Sequence, residues 1–209
     1  MMKALQYALL AKAAYSTKPD IGDKNSSARA IISKTDDGQV ISFPGTDNIA
    51  CWLADLNIDT VNAIGLGNVH EGFWNSFYEI HNELIEQSPS VLCGHSEGAA
   101  LSLIYGAMLC FMKKPPKSIY AFEAPRISTD NTMAKLFSDN NVQVFIYQNG
   151  KDIVPDIPRL FHKWQHPAPI INVGTPIEPW PNVHDHLIDN VIKSLSGQTQ
   201  DHIHIQLRG

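Results

Sequence analysis

Residues 91–100, VLCGHSEGAA, constrain the fold more strongly than any other stretch of the chain. A short apolar run ends at Gly94, a serine follows two positions later, and an almost continuous apolar run begins at Glu97. This order predicts a buried strand over 90–93, a sharp turn, and a buried helix over 97–112. Because apolar strands that alternate with helices are typical of parallel sheets, we expect a sheet that is covered on both faces.

The other segments extend this pattern. Asp37-Gly38 lies between two apolar runs and predicts a hairpin of strands over 28–34 and 39–43. An amphipathic first helix is predicted because Leu5, Leu9 or Ala8, and Lys12 follow helical spacing. Further strands are expected at 118–122, 142–147 and 170–173, with a weaker one at 57–64, and further helices at 72–86, 129–138 and 185–195.

These elements predict one α/β domain over residues 1–209. It has a mostly parallel central sheet, an antiparallel N-terminal hairpin and helices on both faces. The last helix is expected to stop near Gly197, leaving a polar C-terminal tail at 197–209 in which His202 and His204 form an edge segment. In such sheets ligands bind at the carboxyl ends of the strands, which is where Ser96 falls.

Composition argues against several functional classes. The formal net charge is −5 and the chain has no run of Lys and Arg, which argues against binding nucleic acid. No segment approaches the roughly 18 apolar residues of a membrane span. Cys51, Cys93 and Cys110 are far apart, so we expect reduced thiols, with no metal or cofactor site. Gln6 and Lys12 interrupt the N-terminal apolar stretch, which favours a cytoplasmic protein, with secretion by another route left open.

The segment Gly94-His95-Ser96-Glu97-Gly98 matches G-x-S-x-G, the nucleophile elbow of α/β-hydrolases when it joins a strand to a helix. The serine of an elbow sits on a strained turn, and glycines avoid clashes between strand and helix. The free N–H groups at the helix N-terminus then favour an oxyanion. The alternative is a glycine-rich helix start with Ser96 as an N-cap, although a plain N-cap needs no flanking pair of glycines.

A nucleophilic serine needs a base and an orienting acid, and in α/β-hydrolases these follow in the order Ser, acid, His. Asp152 comes just after the strand at 142–147 and is the first candidate for the acid, with Asp156 as the alternative. His186 lies at the entry to the last helix and is the first candidate for the base, with His184 as the alternative. We expect His95 to be packed or hydrogen-bonded rather than to act as the base.

Six short motifs occur in order along the chain: FPGTDN at 43–48, CWLADL at 51–56, VHEGF at 69–73, GHSEGA at 94–99, EAPR at 123–126 and KDIVPDIP at 151–158. The His186-Leu187 pair completes the series. Together they resemble the class 3 lipases, a fungal-lipase-like family of α/β-hydrolases, and the resemblance extends from LAKAAYS at 10–16 to about residue 195.

The resemblance implies a serine ester hydrolase whose triad is Ser96, Asp152 and His186. Thr46 and the backbone N–H of Glu97 would be the oxyanion donors. The family also implies a small lid at about 47–56, in which Ile49, Trp52 and Leu53 form an apolar face. The alternative for this segment is an ordinary amphipathic connector. VHEGF and EAPR would serve packing and scaffolding.

Three departures from the family pattern are visible. Pro44 stands where an arginine is usual, and Glu97 replaces an apolar residue, where its carboxylate would repel anionic substrates or keep the base protonated. The chain is also short, which predicts a small lid and argues against long-chain triglycerides as substrates.

The expected substrate is a small acyl ester or lipid, reached through transient contact with a lipid interface. Phospholipid acyl esters, thioesters and amides are alternatives on the same residues, and a hydrolase fold kept as a non-catalytic binding module is a further one.

Overall fold

The computed structural model describes residues 2–46, 49, 52–53, 58–159 and 163–206, with backbone alone for residue 2 and for 198–206. In these ranges the helices are α1 (Met2–Ser16), α2 (Glu71–Leu84), α3 (Glu97–Phe111), α4 (Thr132–Asp139) and α5 (Ile188–Gln206). The strands are β1 (Ile21–Gly22), β2 (Arg29–Thr35), β3 (Gly38–Phe43), β4 (Thr60–Ala63), β5 (Gly67–His70), β6 (Val91–His95), β7 (Ser118–Phe122), β8 (Gln143–Asn149) and β9 (Ile170–Val173).

The main sheet has the strand order β1-β2-β3-β6-β7-β8-β9. The pairs β1–β2 and β2–β3 are antiparallel, and every pair from β3 to β9 is parallel. The predicted hairpin and mostly parallel sheet are therefore confirmed. The weak strand expected at 57–64 pairs outside this sheet, because β4 and β5 form a separate antiparallel ribbon.

The sheet has a core on each face because its strand residues alternate. Ile41 and Leu92 are paired neighbours that pack in one cluster with α2, α3 and α4. Val40 and Val91, one residue earlier, are paired neighbours in the opposite cluster with α1 and α5. Successive strand side chains point to opposite faces, so a strand that is apolar throughout feeds both cores. The predicted helices on both faces are confirmed.

The buried face of α1 consists mostly of small side chains. Its fully buried side chains are Ala4, Tyr7, Ala8, Ala11 and Ala14, whereas Leu9 is 49% exposed. Small side chains allow the helix backbone to approach the sheet and α5 closely, and Tyr7 packs on Tyr120 with ring centroids 4.4 Å apart. The helix was predicted correctly, and of the two residues left open for its apolar side, Leu9 or Ala8, the structure buries Ala8.

The end of the chain also differs from the prediction. Helix α5 begins at Ile188 and continues through Gly197 to Gln206, so the expected stop near Gly197 and the edge segment beyond it are wrong. A glycine inside a helix costs only about 1 kcal/mol relative to alanine and does not by itself end the helix. The later start leaves residues 185–187 in the turn before α5.

Two further sequence expectations concern the cysteines and membrane spans. Cys93 and Cys110 are free and buried, as expected, and Cys51 lies outside the described residues. Among the described helices, none combines the length and the apolar character that crossing a membrane requires.

Candidate active site

Ser96 lies in the turn between β6 and α3, with φ 57° and ψ −125°. A non-glycine residue in this region costs about 1–3 kcal/mol and persists only where its surroundings enforce it. A Cβ on Gly94 would lie 2.7 Å from the Ala99 backbone nitrogen, and one on Gly98 would lie 2.5 Å from the Phe43 carbonyl oxygen. Both glycines are required because strand and helix approach each other too closely for a side chain.

The loop after β3 packs directly against this turn. A Cβ on Gly45 would lie 2.7 Å from the Cβ of Ser96 and 2.6 Å from the Tyr15 hydroxyl. Thr46 follows Gly45, so the structure places this predicted oxyanion donor beside the serine turn. The amide of Glu97, the other predicted donor, is in the first turn of α3, where helix N–H groups have no partner within the helix.

Asp152 and His186 are 34 positions apart in the sequence, and the fold brings their side chains together. His186 Nδ1 lies 2.7 Å from Asp152 Oδ2, and both residues are buried. The other oxygen, Oδ1, accepts a hydrogen bond from the Val154 backbone N–H at 3.0 Å. Burial raises the pKa of the Asp152 carboxyl, but the hydrogen bond and charge of His186, together with hydrogen bonds from Glu123 and the Val154 N–H, outweigh it, so the net pKa is lowered. Asp152 is therefore an acceptor, and Nδ1 of His186 carries the proton between them.

The remaining polar atoms of this group are unpaired. Ser96 Oγ and His186 Nε2 are both buried, and neither has a hydrogen-bond partner among the described residues. With its proton on Nδ1, a neutral His186 presents a lone pair at Nε2. Buried polar atoms are nearly always satisfied, so two unpaired ones indicate a site where a reacting group binds.

His95 connects the serine turn to the turn that carries His186. Its Nε2 donates to the His186 carbonyl oxygen at 2.8 Å, and its Nδ1 accepts from the Tyr15 hydroxyl at 2.6 Å. Burial, together with the charge of His186, lowers the pKa of His95 to about 3, so the ring is neutral at physiological pH. Both ring nitrogens are occupied, which agrees with the prediction that His95 is hydrogen-bonded and is not the base.

The alternative acid and base are engaged elsewhere. Asp156 lies in the 3₁₀ turn Val154–Asp156 and pairs with Arg159 at 2.7 Å and Arg126 at 3.5 Å. His184 is exposed and pairs with Glu178 at 2.7 Å. Among the described residues, neither side chain forms a hydrogen bond or ion pair with Asp152 or His186, so the geometry favours the first candidates.

Sequence reasoning missed two polar residues that hold the acid and histidine turns together. Asp185 is fully buried, and its carboxylate accepts from the Lys151 backbone N–H at 2.9 Å and from Asn182 Nδ2 at 2.9 Å. Asn149 Nδ2 donates to the Asp185 carbonyl oxygen at 2.9 Å. The aspartate directly before the candidate base in HDHL was a signal that could have drawn attention to Asp185. Its hydrogen-bond partners could not be identified in the same way, because other segments of the chain contribute them.

The sequence analysis also did not single out Glu123, because the EAPR motif was assigned to scaffolding. It is fully buried with φ 54°, and it lies beside Asp152 and His186. Within the described ranges, these three form the one group of metal-ligating residue types whose atoms lie within 4.8 Å of one another. Asp152 and His186 already hydrogen-bond to each other through Oδ2 and Nδ1.

Two serine hydroxyls hold the side chain of Glu97. Its Oε1 accepts from Ser76 on α2 at 2.9 Å and from Ser27, before β2, at 3.3 Å. Burial raises its pKa, and the two hydroxyls partly offset that effect. Two hydroxyls hold this carboxylate toward α2 and the segment before β2, which argues against the expectation that it would repel anionic substrates or keep the base protonated.

The predicted lid falls largely outside the described residues. Of 47–56, the structure describes Ile49, Trp52 and Leu53, which have helical backbone and half-buried side chains. The Trp52 ring stacks on Phe73 of α2, with centroids 5.9 Å apart and planes at 24°.

Comparisons with known proteins show the family to which the chain is similar. Residues 40–162, more than half of the chain, match the family described as lipase (class 3). The chain is 27% identical over 158 residues to the secreted mono- and diacylglycerol lipase A of Penicillium cyclopium, covering 69% of this chain and 51% of that protein. It is 29% identical over 147 residues to a lipase of Rhizomucor miehei, covering 62% and 40% respectively. The chain thus spans about half the length, or less, of these curated relatives.

A solved structure has the same architecture. The lipase of Rhizopus microsporus var. chinensis superposes with a TM-score of 0.71 at 19% identity, covering 89% of this chain and 85% of that one. The expected α/β-hydrolase fold is confirmed by this likeness and by the parallel sheet with its elbow. On the family match and the fold together, the chain belongs to the class 3 lipase family.

Proposed function

We propose that this protein is a serine carboxylic-ester hydrolase, a lipase or esterase, with Ser96 as nucleophile, His186 as base and Asp152 as orienting acid. The observation that carries the proposal is the pair of unpaired buried atoms, Ser96 Oγ and His186 Nε2, next to a 2.7 Å hydrogen bond from His186 to Asp152. The family membership of the chain supports the same reaction class.

In the proposed reaction, His186 Nε2 takes the hydroxyl proton as Ser96 Oγ attacks the ester carbonyl carbon. The carbonyl oxygen becomes an oxyanion held by Thr46 and by the Glu97 amide at the positive end of α3. The imidazolium returns its proton to the leaving alcohol, and an acyl-enzyme remains on Ser96. Water, activated by the same histidine, then releases the acid and restores the serine.

The proposed substrate is an acyl ester of a small alcohol or of glycerol. One relative is named a mono- and diacylglycerol lipase, which supports partial acylglycerols as the first compounds to test. Phospholipid acyl esters, thioesters and amides would use the same residues, so they belong in the same substrate series.

The decisive test compares wild type with Ser96→Ala across esters of increasing chain length, monoacylglycerols and phospholipid vesicles. We expect Ser96→Ala to lower kcat by at least ~10³-fold on every substrate that wild type cleaves. A serine-directed phosphonate should label wild type and leave Ser96→Ala unlabelled. Equal hydrolysis by both proteins, or an unlabelled wild type, would favour a non-catalytic binding module instead.

The remaining triad roles are tested with matched pairs. Asp152→Asn should lower kcat by at least ~10²-fold, since an amide favours the wrong tautomer of His186, whereas Asp156→Asn should leave kcat within about threefold of wild type. His186→Ala should be as inactive as Ser96→Ala, and His184→Ala should remain active. The reverse order within either pair would move the role to the other residue.

We also propose that the segment at 47–56 is a small lid over this site. The support is the half-buried Trp52, which packs an aromatic face on Phe73 of α2, the helix whose Ser76 hydrogen-bonds to Glu97 beside Ser96. A lid of this kind would open at a lipid surface and expose apolar side chains there.

A further inference from the structure

Glu123 immediately follows β7, in a backbone conformation that side chains rarely adopt. Its φ is 54°, and its side chain is fully buried. The backbone is fixed because the Glu123 N–H donates to the Tyr147 carbonyl oxygen at 2.9 Å. A strained, buried, acidic residue costs stability, so its presence at this position calls for a specific role.

The contacts of the Glu123 carboxyl group all lead to the acid turn of the proposed triad. Oε1 accepts from the Asn149 backbone N–H at 2.6 Å. Oε2 is buried and has no partner of normal hydrogen-bond geometry within the described part of the chain. One carboxyl oxygen of Glu123, one of Asp152 and a ring nitrogen of His186 lie within 4.8 Å of one another. Asp152 is also the carboxyl group that acts on Glu123 both by its charge and through a side-chain hydrogen bond.

Two buried carboxyl groups this close retain one proton between them. The ionisable groups that face Glu123 are Asp152, Asp185 and His186, while His95 on the adjacent strand is neutral. Asp152 has two donors of its own, His186 Nδ1 and the Val154 N–H, whereas Glu123 has one. Burial and the charge of Asp152 raise the pKa of Glu123 well above its ordinary value, whereas the net pKa of Asp152 is lowered, so the proton stays on Glu123.

We propose that Glu123 is protonated and donates a hydrogen bond from its carboxylic acid to Asp152, and so acts as the positioning residue for the acid of the proposed triad. The catalytic consequence of this inference rests on the proposed function, whereas the protonation of Glu123 does not. Asp152 would then receive three hydrogen bonds, from His186, Val154 and Glu123. The third one keeps Asp152 ionised and fixes the carboxylate plane against His186.

The activity test uses Glu123→Gln and Glu123→Ala. The amide of Gln can accept from Asn149 through its oxygen and donate to Asp152 through its nitrogen, so kcat/KM should stay within about threefold of wild type. Ala removes the donor, and the loss of a hydrogen bond to a charged group should lower kcat/KM by about 10–100-fold. In Glu123→Ala the acidic limb of the kcat/KM profile should also move to higher pH, because Asp152 is protonated more readily.

Glu123→Gly separates this role from folding. Glycine adopts φ 54° without strain, so this variant should fold at least as readily as Glu123→Ala yet show the same kinetic defect. If Glu123→Gln is as impaired as Glu123→Ala, or if the pH profiles of all variants superimpose, the residue serves packing alone and the proposal is wrong.

Two further readouts do not depend on hydrolysis. Above about 4.5, the ordinary pKa of a glutamate, the unfolded wild type loses the Glu123 proton while the folded protein keeps it, so wild type should lose stability relative to Glu123→Gln as pH rises. Infrared difference spectra should show a protonated carboxylic acid band at neutral pH that is absent in Glu123→Gln. A stability difference independent of pH, with no such band, would overturn the proposal even if Ser96→Ala abolishes activity. An inactive wild type would overturn the proposed function alone.

Discussion

His95 Nε2 donates a hydrogen bond to the backbone carbonyl oxygen of His186 at 2.8 Å. The residue beside the candidate nucleophile therefore holds the turn that carries the candidate base. Their rings are also in contact, with centroids 4.7 Å apart. On its other side His95 is fixed by Tyr15 at the end of α1, so the geometry of the site depends on a helix that contributes no reacting group.

The neutral, buried state of His95 predicts a dependence of stability on pH. In the unfolded chain His95 takes up a proton below its ordinary pKa of 6.5, whereas in the folded protein it does so only near 3. The unfolded state binds the proton first, so the unfolding free energy should fall as pH drops through this window, by about 1.4 kcal/mol per pH unit at most. Urea unfolding of wild type and His95→Gln from about pH 7 to 4 measures this term. His184→Gln, the same change at the surface, should retain the wild-type slope, and an unchanged slope in His95→Gln would contradict the prediction.

Gly98→Ala should disrupt the serine turn. Its Cβ would lie 2.5 Å from the Phe43 carbonyl oxygen and 2.7 Å from the Phe43 carbonyl carbon, and neither backbone atom can move independently. We expect a loss of about 1–3 kcal/mol in unfolding free energy and a large loss of activity, since the shift displaces the loop that carries Thr46. Gly197→Ala, with no heavy atom within 4 Å of the new Cβ, is the control and should gain about 0.5–1 kcal/mol in α5. Wild-type stability in Gly98→Ala would show that the strand and helix separate freely.

Glu97 should matter for stability and not for chemistry. Glu97→Gln keeps an oxygen to accept from Ser27 and Ser76, so activity should remain within about threefold of wild type. Because the folded pKa of Glu97 is raised, wild type loses stability as pH rises from about 4.5, and Glu97→Gln should become relatively more stable over that range. Glu97→Leu leaves both hydroxyls unpaired and should cost about 1–3 kcal/mol at neutral pH. A large change in kcat for Glu97→Gln would indicate that the carboxylate reaches the substrate.

The lid proposal predicts that Trp52→Ala acts on interfacial substrate alone. Removing an indole that contacts an apolar surface costs roughly 1.5–3 kcal/mol, which corresponds to about tenfold or more in activity on emulsified ester. Activity on a soluble short-chain ester should stay within about threefold. Trp180→Ala, an exposed tryptophan outside this segment, is the control. Equal losses on both substrates, with lower stability, would instead identify 47–56 as an ordinary connector.

Local sequence patterns predicted much of this fold because each pattern has a local physical cause. The strand at 118–122 was placed with its observed bounds, since a short apolar run between turns has few alternatives. The two-residue strand β1 and the strand β5 were missed, because segments this short are defined by their partners rather than by their own composition. Gly197 was misassigned because a helix ends where its packing ends, not at every glycine.

The sequence by itself determined the serine turn and the order of the candidate residues. The glycines around Ser96 can be read from GHSEGAA, because steric exclusion between a strand and the helix that follows it is local. Only the tertiary structure decided which acid meets which base. Asp152 and Asp156 are four positions apart in one loop, yet one contacts His186 and the other pairs with arginines.

Only the tertiary structure also decided what the side chains of Glu97 and Glu123 contact. From the sequence, the Glu97 carboxylate was expected to repel anionic substrates or keep the base protonated. In the structure its side chain hydrogen-bonds to Ser27 and Ser76. Glu123 was passed over in EAPR, and the parallel pairing of β7 with β8 brings it to Asn149 and Asp152. The protonation state of a carboxyl group depends on burial and on charges from distant segments, which no short stretch of sequence contains.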